Sequence, residues 1–203
     1  MSHYFDADPL APSDRRQVRL VLPDLTLSLT TDRGVFSRDG VDPGTKLLLL
    51  EAPAPPAEGN LLDLGCGYGA VALTLAARSP AATVWALDVN RRALALTAAN
   101  AEAAGCPHVR PVTPEDVPAE LRFAAIWSNP PVRIGKAALH QLLARWLGRL
   151  EPGGRAQLVV HKHLGADSLA AWLDARGYPT RRRRSRMGYR LLEVASPVGP
   201  CEA

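Results

Sequence analysis

Short apolar blocks open the chain. Residues 17–22 and 25–31 alternate or run apolar on either side of Pro23-Asp24, the pattern of two strands joined by a tight turn. Residues 1–16 are polar and read as irregular, and residues 32–44, with three glycines and a proline, read as loop. Residues 45–52 predict a short helix with Thr45 as candidate cap, and residues 53–59 a proline-rich connector. From residue 60 strand and helix patterns alternate. Strands are predicted at 61–64, 83–87, 109–112, 123–128 and 156–160, and helices at 70–78, 91–104, 137–150 and 168–175. Helices of this length between strands force parallel pairing with right-handed crossovers. Two last strands, near 182–184 and 189–194, have only residues 185–188 between them and predict an antiparallel hairpin at one sheet edge. The fold class is therefore α/β, a doubly wound, mostly parallel sheet. The expected organisation is an N-terminal β-hairpin extension over 1–44 and a main domain over 45–203.

Composition narrows the class without naming a function. The 203 residues are 47% hydrophobic and 22% charged, ordinary for one globular domain with a real core. A net charge of +4 permits a polyanionic partner but does not demand one. Cys66, Cys106 and Cys201 are odd in number, widely spaced and without a C-x-x-C, which argues against a disulfide framework or structural zinc and for a reducing, cytoplasmic compartment. Residues 1–10 lack the apolar run of a signal peptide, and no window approaches the roughly 20 apolar residues of a spanning helix.

The most informative stretch is Leu61-Leu62-Asp63-Leu64-Gly65-Cys66-Gly67-Tyr68-Gly69. A strand runs into three alternate glycines and then a helix, where glycine permits a tight turn and close approach of a ligand to the backbone. Asp88, 19 residues after Gly69, ends the next strand and can accept ribose hydroxyls of a nucleoside. The spacing is G-x-G-x-G, not the G-x-G-x-x-G of dinucleotide folds, and Asp63 can hold an ammonium group directly or through water. Together these suit a nucleoside ligand carrying an amino-acid moiety. A second signal, Ser128-Asn129-Pro130-Pro131, follows a later strand at the ligand-binding end of such sheets. The prolines fix the backbone and remove donors, leaving the Asn129 side-chain carbonyl and the Pro130 main-chain carbonyl as acceptors. Two acceptors can hold both hydrogens of an amine or amide nitrogen and aim its lone pair at an electrophilic methyl group. By itself Asn-Pro-Pro is only a turn former; the glycine loop and Asp88 make it a candidate catalytic loop.

These residues resemble the amino-methylating class I methyltransferases. Thr31-Asp32-Arg33-Gly34-Val35-Phe36-Ser37 and Asp42-Pro43-Gly44-Thr45-Lys46-Leu47-Leu48, with His3-Tyr4-Phe5, narrow the resemblance to the 16S ribosomal RNA guanine-N2 methyltransferase family and its short single-domain relatives. The resemblance runs to about Val194. It implies a seven-stranded sheet with the last strand between its neighbours, S-adenosylmethionine as cofactor, and ribosomal RNA or the small ribosomal subunit as partner. It matches Gly65, Gly67 and Gly69 to the cofactor loop, Asp88 to the ribose acid and Asn129-Pro130-Pro131 to the catalytic loop. The sequence departs from the family at Val132, where relatives often carry an aromatic residue that stacks on the target base. The adenine-reading position falls in Thr113-Pro114-Glu115-Asp116, with Thr113 and Asp116 both candidates. Longer members carry an extra N-terminal domain, so the exact RNA position does not transfer.

Phe36, Val132, Arg133 and Lys136 are candidate substrate contacts, the two cations for phosphates beside the target. The arginines at 181–184 and Arg186 either contact phosphates or charge an edge strand against sheet-to-sheet pairing. His161-Lys162-His163 is a candidate proton shuttle, weighed against a loop histidine with a structural hydrogen bond. No carboxylate or cysteine stands at ligand spacing from it, and no metal is expected. The leading function is methyl transfer to guanine N2 of small-subunit ribosomal RNA. The alternatives are protein glutamine methylation, a nicotinamide-dependent oxidoreductase and a non-catalytic cofactor-binding module.

Overall fold

The computed structural model describes residues 11–197; the opening decapeptide with His3-Tyr4-Phe5, and Cys201, lie outside the described residues. Strands β1 (Arg16–Val21) and β2 (Thr26–Thr31) pair antiparallel as a separate two-stranded sheet. A loop leads to α1 (Pro43–Glu51), then to β3 (Glu58–Leu64), α2 (Ala70–Arg78), β4 (Ala81–Leu87), α3 (Arg91–Ala103) and β5 (Val109–Val112). After β6 (Phe123–Ser128) come α4 (Lys136–Leu147), β7 (Leu150–His161), α5 (Ala166–Asp174), β8 (Thr180–Arg186) and β9 (Tyr189–Ala195). The seven-stranded sheet runs in the order β5-β4-β3-β6-β7-β9-β8. Pairing is parallel through β7, and β9 lies antiparallel between β7 and β8. This is the Rossmann-like fold expected of the sequence, with the last strand inserted between its neighbours.

Strand alternation explains why both faces are covered. Leu61 and Trp127 point to one buried cluster, shared with Leu48 of α1, Leu73 and Leu75 of α2 and the hairpin residues Leu20 and Leu29. Leu62, Ile126 and Leu158 point to the other, shared with Leu143 and Trp146 of α4 and Leu169 of α5. Nearly continuous apolar strands are what a sheet buried on both faces requires. Among the described residues, no helix is long and apolar enough to cross a membrane.

Several boundaries differ from the sequence reading by a few residues, three of them for a clear physical reason. α1 begins at Pro43, capped by Asp42 rather than Thr45: the Asp42 carboxylate accepts the Thr45 N–H at 3.0 Å, and Pro43 needs no partner in the first turn. α4 ends at Leu147, and Leu150 already pairs with Phe123 as β7 begins. A register shift between Phe123 and Ala125 lets β7 run through Pro152-Gly153-Gly154, which as a sequence looks like a helix stop.

The edge carries its own lock. Glu193 of β9, only 3% exposed, accepts hydrogen bonds from Arg155 and Gln157 of β7 and from Arg181 and Arg183 of β8. Burial pushes its carboxyl up, but Gln157 and the Arg183 and Arg181 guanidiniums outweigh this and hold its pKa below the ordinary value. A depressed carboxylate adds stability above its unfolded pKa that is lost as pH falls through the folded one. Glu193→Gln should therefore lower stability at pH 7 by about 1–3 kcal/mol. The difference from wild type should shrink toward zero below about pH 4. Urea unfolding at both pH values measures this; equal stability at pH 7 would remove Glu193 as the lock.

Candidate active site

A cavity of about 580 Å³ opens at the carboxyl ends of the parallel strands. Its position follows from register. Leu64 pairs with Leu87 and Asp63 with Trp127, so β3, β4 and β6 end at nearly one level. The turn after β3 is tied to β4 by Gly65 and Cys66, whose N–H groups both donate to the Leu87 carbonyl at 2.8 and 2.9 Å. The Ser128 hydroxyl ties β6 to β3 by donating to the Leu64 carbonyl at 2.6 Å.

The glycines divide into two roles. Gly65 and Gly67 take positive φ of 83° and 56° and line the cavity, and a Cβ on either would meet no atom within 4 Å. They give backbone shape and leave room for a ligand. Gly69, with φ of 92°, does not line the cavity: a Cβ there would lie 2.8 Å from Leu73 Cδ1 and 3.1 Å from Thr97, so both its backbone conformation and close helix packing require glycine. Asp88 lines the cavity and accepts the Gly67 N–H at 2.9 Å and the Asn90 N–H at 3.0 Å. Burial raises its pKa, and the N–H groups of Asn90, Gly67 and Val89 oppose the rise. Asp63, 1% exposed, lies beneath the loop and accepts the Ala72 N–H at 2.8 Å, supplying from another strand the cap that Gly69 cannot give α2. Its carboxyl is pushed up to about 8, first by burial and, against the Ala72 bond, by the Asp88 charge.

The opposite wall is the Asn-Pro-Pro loop. The Asn129 Nδ2 donates to Asp42 Oδ1 at 2.9 Å and to Thr45 Oγ1 at 3.1 Å. Both amide hydrogens are thereby committed, and Oδ1 is presented as an acceptor. Pro130 and Pro131 line the cavity with it, and the Pro130 carbonyl already accepts the Val132 N–H at 2.8 Å, leaving one lone pair for a ligand. Asp42 also receives the Tyr189 hydroxyl at 3.4 Å, so one carboxylate joins α1, the Asn-Pro-Pro loop and β9.

The loop after β2 forms the rim. Asn90, the cap of α3, donates through Nδ2 to the Gly34 carbonyl at 2.7 Å, which brings Val35 and Phe36 onto the cavity. Val132 and Arg133 also line it, whereas Lys136 is exposed at the start of α4. Thr113 and Asp116 are bonded to each other at 2.7 Å, and neither reaches the lining. Most of the arginine strand is engaged: Arg181 and Arg183 by Glu193, and Arg184 by Glu51 at 2.9 Å. His161 lines the cavity edge-on to Tyr189, ring centroids 4.9 Å apart, and its Nδ1 accepts the His163 N–H at 3.4 Å. The sequence gives no site role to Asn90 or Tyr189, and Asp42 enters there only as part of the segment that narrows the resemblance. Asp42-Pro43 was a legible helix-start signal; Tyr189 looked like any strand residue.

A family model described as the methyltransferase small domain matches residues 26–187. The chain is 34% identical to the uncharacterized protein YbxB of Bacillus subtilis over 175 residues, 85% of this chain and 87% of that protein. It is 31% identical over 180 residues to the ribosomal RNA small subunit methyltransferase C of Shewanella oneidensis, covering 85% of this chain and 52% of that one. In structure it is similar to the T. thermophilus 16S rRNA N2 G1207 methyltransferase solved with AdoMet and guanosine, with TM-score 0.78, 26% identity, and coverage of 93% of this chain and 52% of that chain. The chain thus spans about half the length of the relatives that carry a ribosomal RNA name.

Asp63 yields a test of the ligand-free site. A carboxyl whose folded pKa is raised favours the fold fully below its unfolded pKa and loses that contribution as pH climbs through the folded value. Between about pH 4 and pH 8, stability should therefore fall through Asp63. Asp63→Asn keeps an acceptor for Ala72 and cannot ionise, so it should gain on wild type steadily from pH 5 to pH 8 in urea unfolding. Parallel stability curves would show that Asp63 is ionised throughout.

Proposed function

Because the chain belongs to the methyltransferase small domain family and is an S-adenosylmethionine-dependent methyltransferase, we propose that it methylates an exocyclic amine of small-subunit ribosomal RNA in the cytoplasm, at guanine N2. The observation that carries the reading is the orientation of Asn129. With both amide hydrogens on Asp42 and Thr45, its carbonyl can only accept, and a neighbouring Pro130 carbonyl lone pair is available. An NH₂ group donates to both acceptors and keeps its lone pair clear of them. The names of the ribosomal RNA relatives support an RNA acceptor.

The residues present fit the cofactor. Gly65 and Gly67 leave open space where a side chain would intrude, and Asp88 stands at the end of β4 to receive ribose hydroxyls. Asp63, buried beneath the loop and outside the cavity lining, would reach the ammonium group through water, and Phe36 and Val89 offer apolar surface to a flat ring. When bound, S-adenosylmethionine supplies an electrophilic methyl group on a sulfonium. The chain's own contribution is positional: Asn129 and Pro130 hold the amine, and the two prolines keep those acceptors from moving. Positioning of this kind is worth several orders of magnitude in rate.

Two variants should separate acceptor from cofactor. Asn129→Ala should reduce turnover about 10²-fold or more with cofactor affinity nearly intact. Asp88→Asn should instead weaken cofactor binding by about 1.5–3 kcal/mol. Calorimetry with single-turnover assays distinguishes them; full turnover in Asn129→Ala would place the chemistry elsewhere, with His161 next to test.

The acceptor is tested directly. Labelled methyl transfer is run on small subunits, naked ribosomal RNA and total protein, and RNA digests should contain N2-methylguanosine by mass spectrometry. RNA activity should fall steeply with salt, and neutralising Arg133 together with Lys136 should flatten that slope without changing cofactor binding. Label found only on protein glutamine would replace RNA with a protein amide as the acceptor.

A further inference from the structure

The β8–β9 hairpin reverses through Met187 and Gly188, with φ of 50° and 81°. Such a two-residue turn favours Asn-Gly or Asp-Gly, since Asn and Asp tolerate the left-handed conformation. A methionine there carries backbone strain that Asn would relieve. Burial gives no compensation, because Met187 is 75% exposed, the most exposed large hydrophobic residue among those described. Neither the turn nor the core asks for this side chain.

Its position is fixed at the cavity rim. The Gly188 carbonyl accepts the Lys162 N–H at 2.8 Å, and a Cβ on Gly188 would lie 2.6 Å from the His161 Nε2. Tyr189, next to the tip in sequence, and His161, next to it in space, both line the cavity. Leu164, 48% exposed, adds apolar surface on the same rim. Arg186 and Lys162, on either side of the tip, make no ion pair with a carboxylate among the described residues, unlike Arg181, Arg183 and Arg184 of the same hairpin.

Resting on the RNA reading above, we propose that Met187 is a wedge that enters the base stack of the RNA substrate as the target guanine is turned out into the cavity, with Arg186 and Lys162 on the flanking phosphates. Asn129 lies inside the cavity, so a guanine in a helix must leave its stack to reach it. An unbranched thioether is polarizable and flexible enough to fill the gap, as apolar wedges do elsewhere. Because Val132 stands at the catalytic loop without a ring to stack on the base, the wedge stabilises the turned-out state from the other side of the gap.

The test uses the full chain, S-adenosylmethionine, and the RNA fragment in which mass spectrometry locates the methylated guanine, presented once as a duplex and once as a single strand. Met187→Asn suits the turn, and its melting temperature should equal or exceed that of wild type. Its kcat/KM should fall at least tenfold on the duplex and less than twofold on the single strand. 2-Aminopurine next to the target guanine should brighten with wild type and not with the variant. Wild-type rates on the duplex in Met187→Asn, or equal losses on both substrates, overturn the wedge while leaving the RNA reading standing. A wild-type enzyme that methylates neither RNA overturns the RNA reading, and the wedge with it.

Discussion

The parallel register of β3, β4 and β6 is the constraint from which the site follows. Side by side and in phase, these strands bring their carboxyl ends to one level, and Leu64 and Leu87 offer their carbonyls there to Ser128 and to the glycine loop. The residues that follow each strand then converge on one cavity: Gly65 and Gly67 after β3, Asp88 after β4, Asn129 after β6. A parallel sheet covered by helices on both faces leaves its strand ends as the one place where backbone donors, carboxylates and loops can meet a ligand. The two apolar clusters matter to function because they hold this register.

The segment before the main sheet completes the site. Asn129 alone is an ambiguous group, since a free amide can rotate and offer either its oxygen or its nitrogen. Asp42 removes the ambiguity by taking one amide hydrogen while capping α1, and Thr45 takes the other. One carboxylate thus ties the start of a helix to the polarity of the Asn-Pro-Pro loop. Asn90 does similar double duty, capping α3 and anchoring the loop that carries Phe36.

Charge behaves differently from its appearance in sequence. The arginine run at 181–184 looks like one basic patch, yet the buried Glu193 takes up two of its members and Glu51 a third. That pairing ties the edge strand to its neighbour, while among the described residues Arg133, Lys162 and Arg186, near the cavity, make no ion pair with a carboxylate. Residues that composition treats alike are thereby divided between those that protect the edge and those left without a carboxylate partner.

Periodicity was enough to read the order of strands and helices, because each element buries a face and its spacing shows which. The glycine loop, Asp88 and Asn-Pro-Pro were also legible, since their backbone demands and their order along the chain leave few other uses. The family and its cofactor followed from those residues. What the chain order could not show is which residues meet across it. Asp42 and Asn129 are 87 positions apart, and the turn at Met187-Gly188 comes beside the cavity-lining His161 only because β9 is inserted beside β7. Gly69 packs against Leu73 and Thr97 rather than lining the cavity, and Thr113 and Asp116 bond each other outside it. Local pattern fixes where an element forms, because propensity and burial act over a few residues. Which side chains share a site, and whether a given arginine is free or paired, depends on contacts between distant segments, and those exist only once the sheet has closed its register.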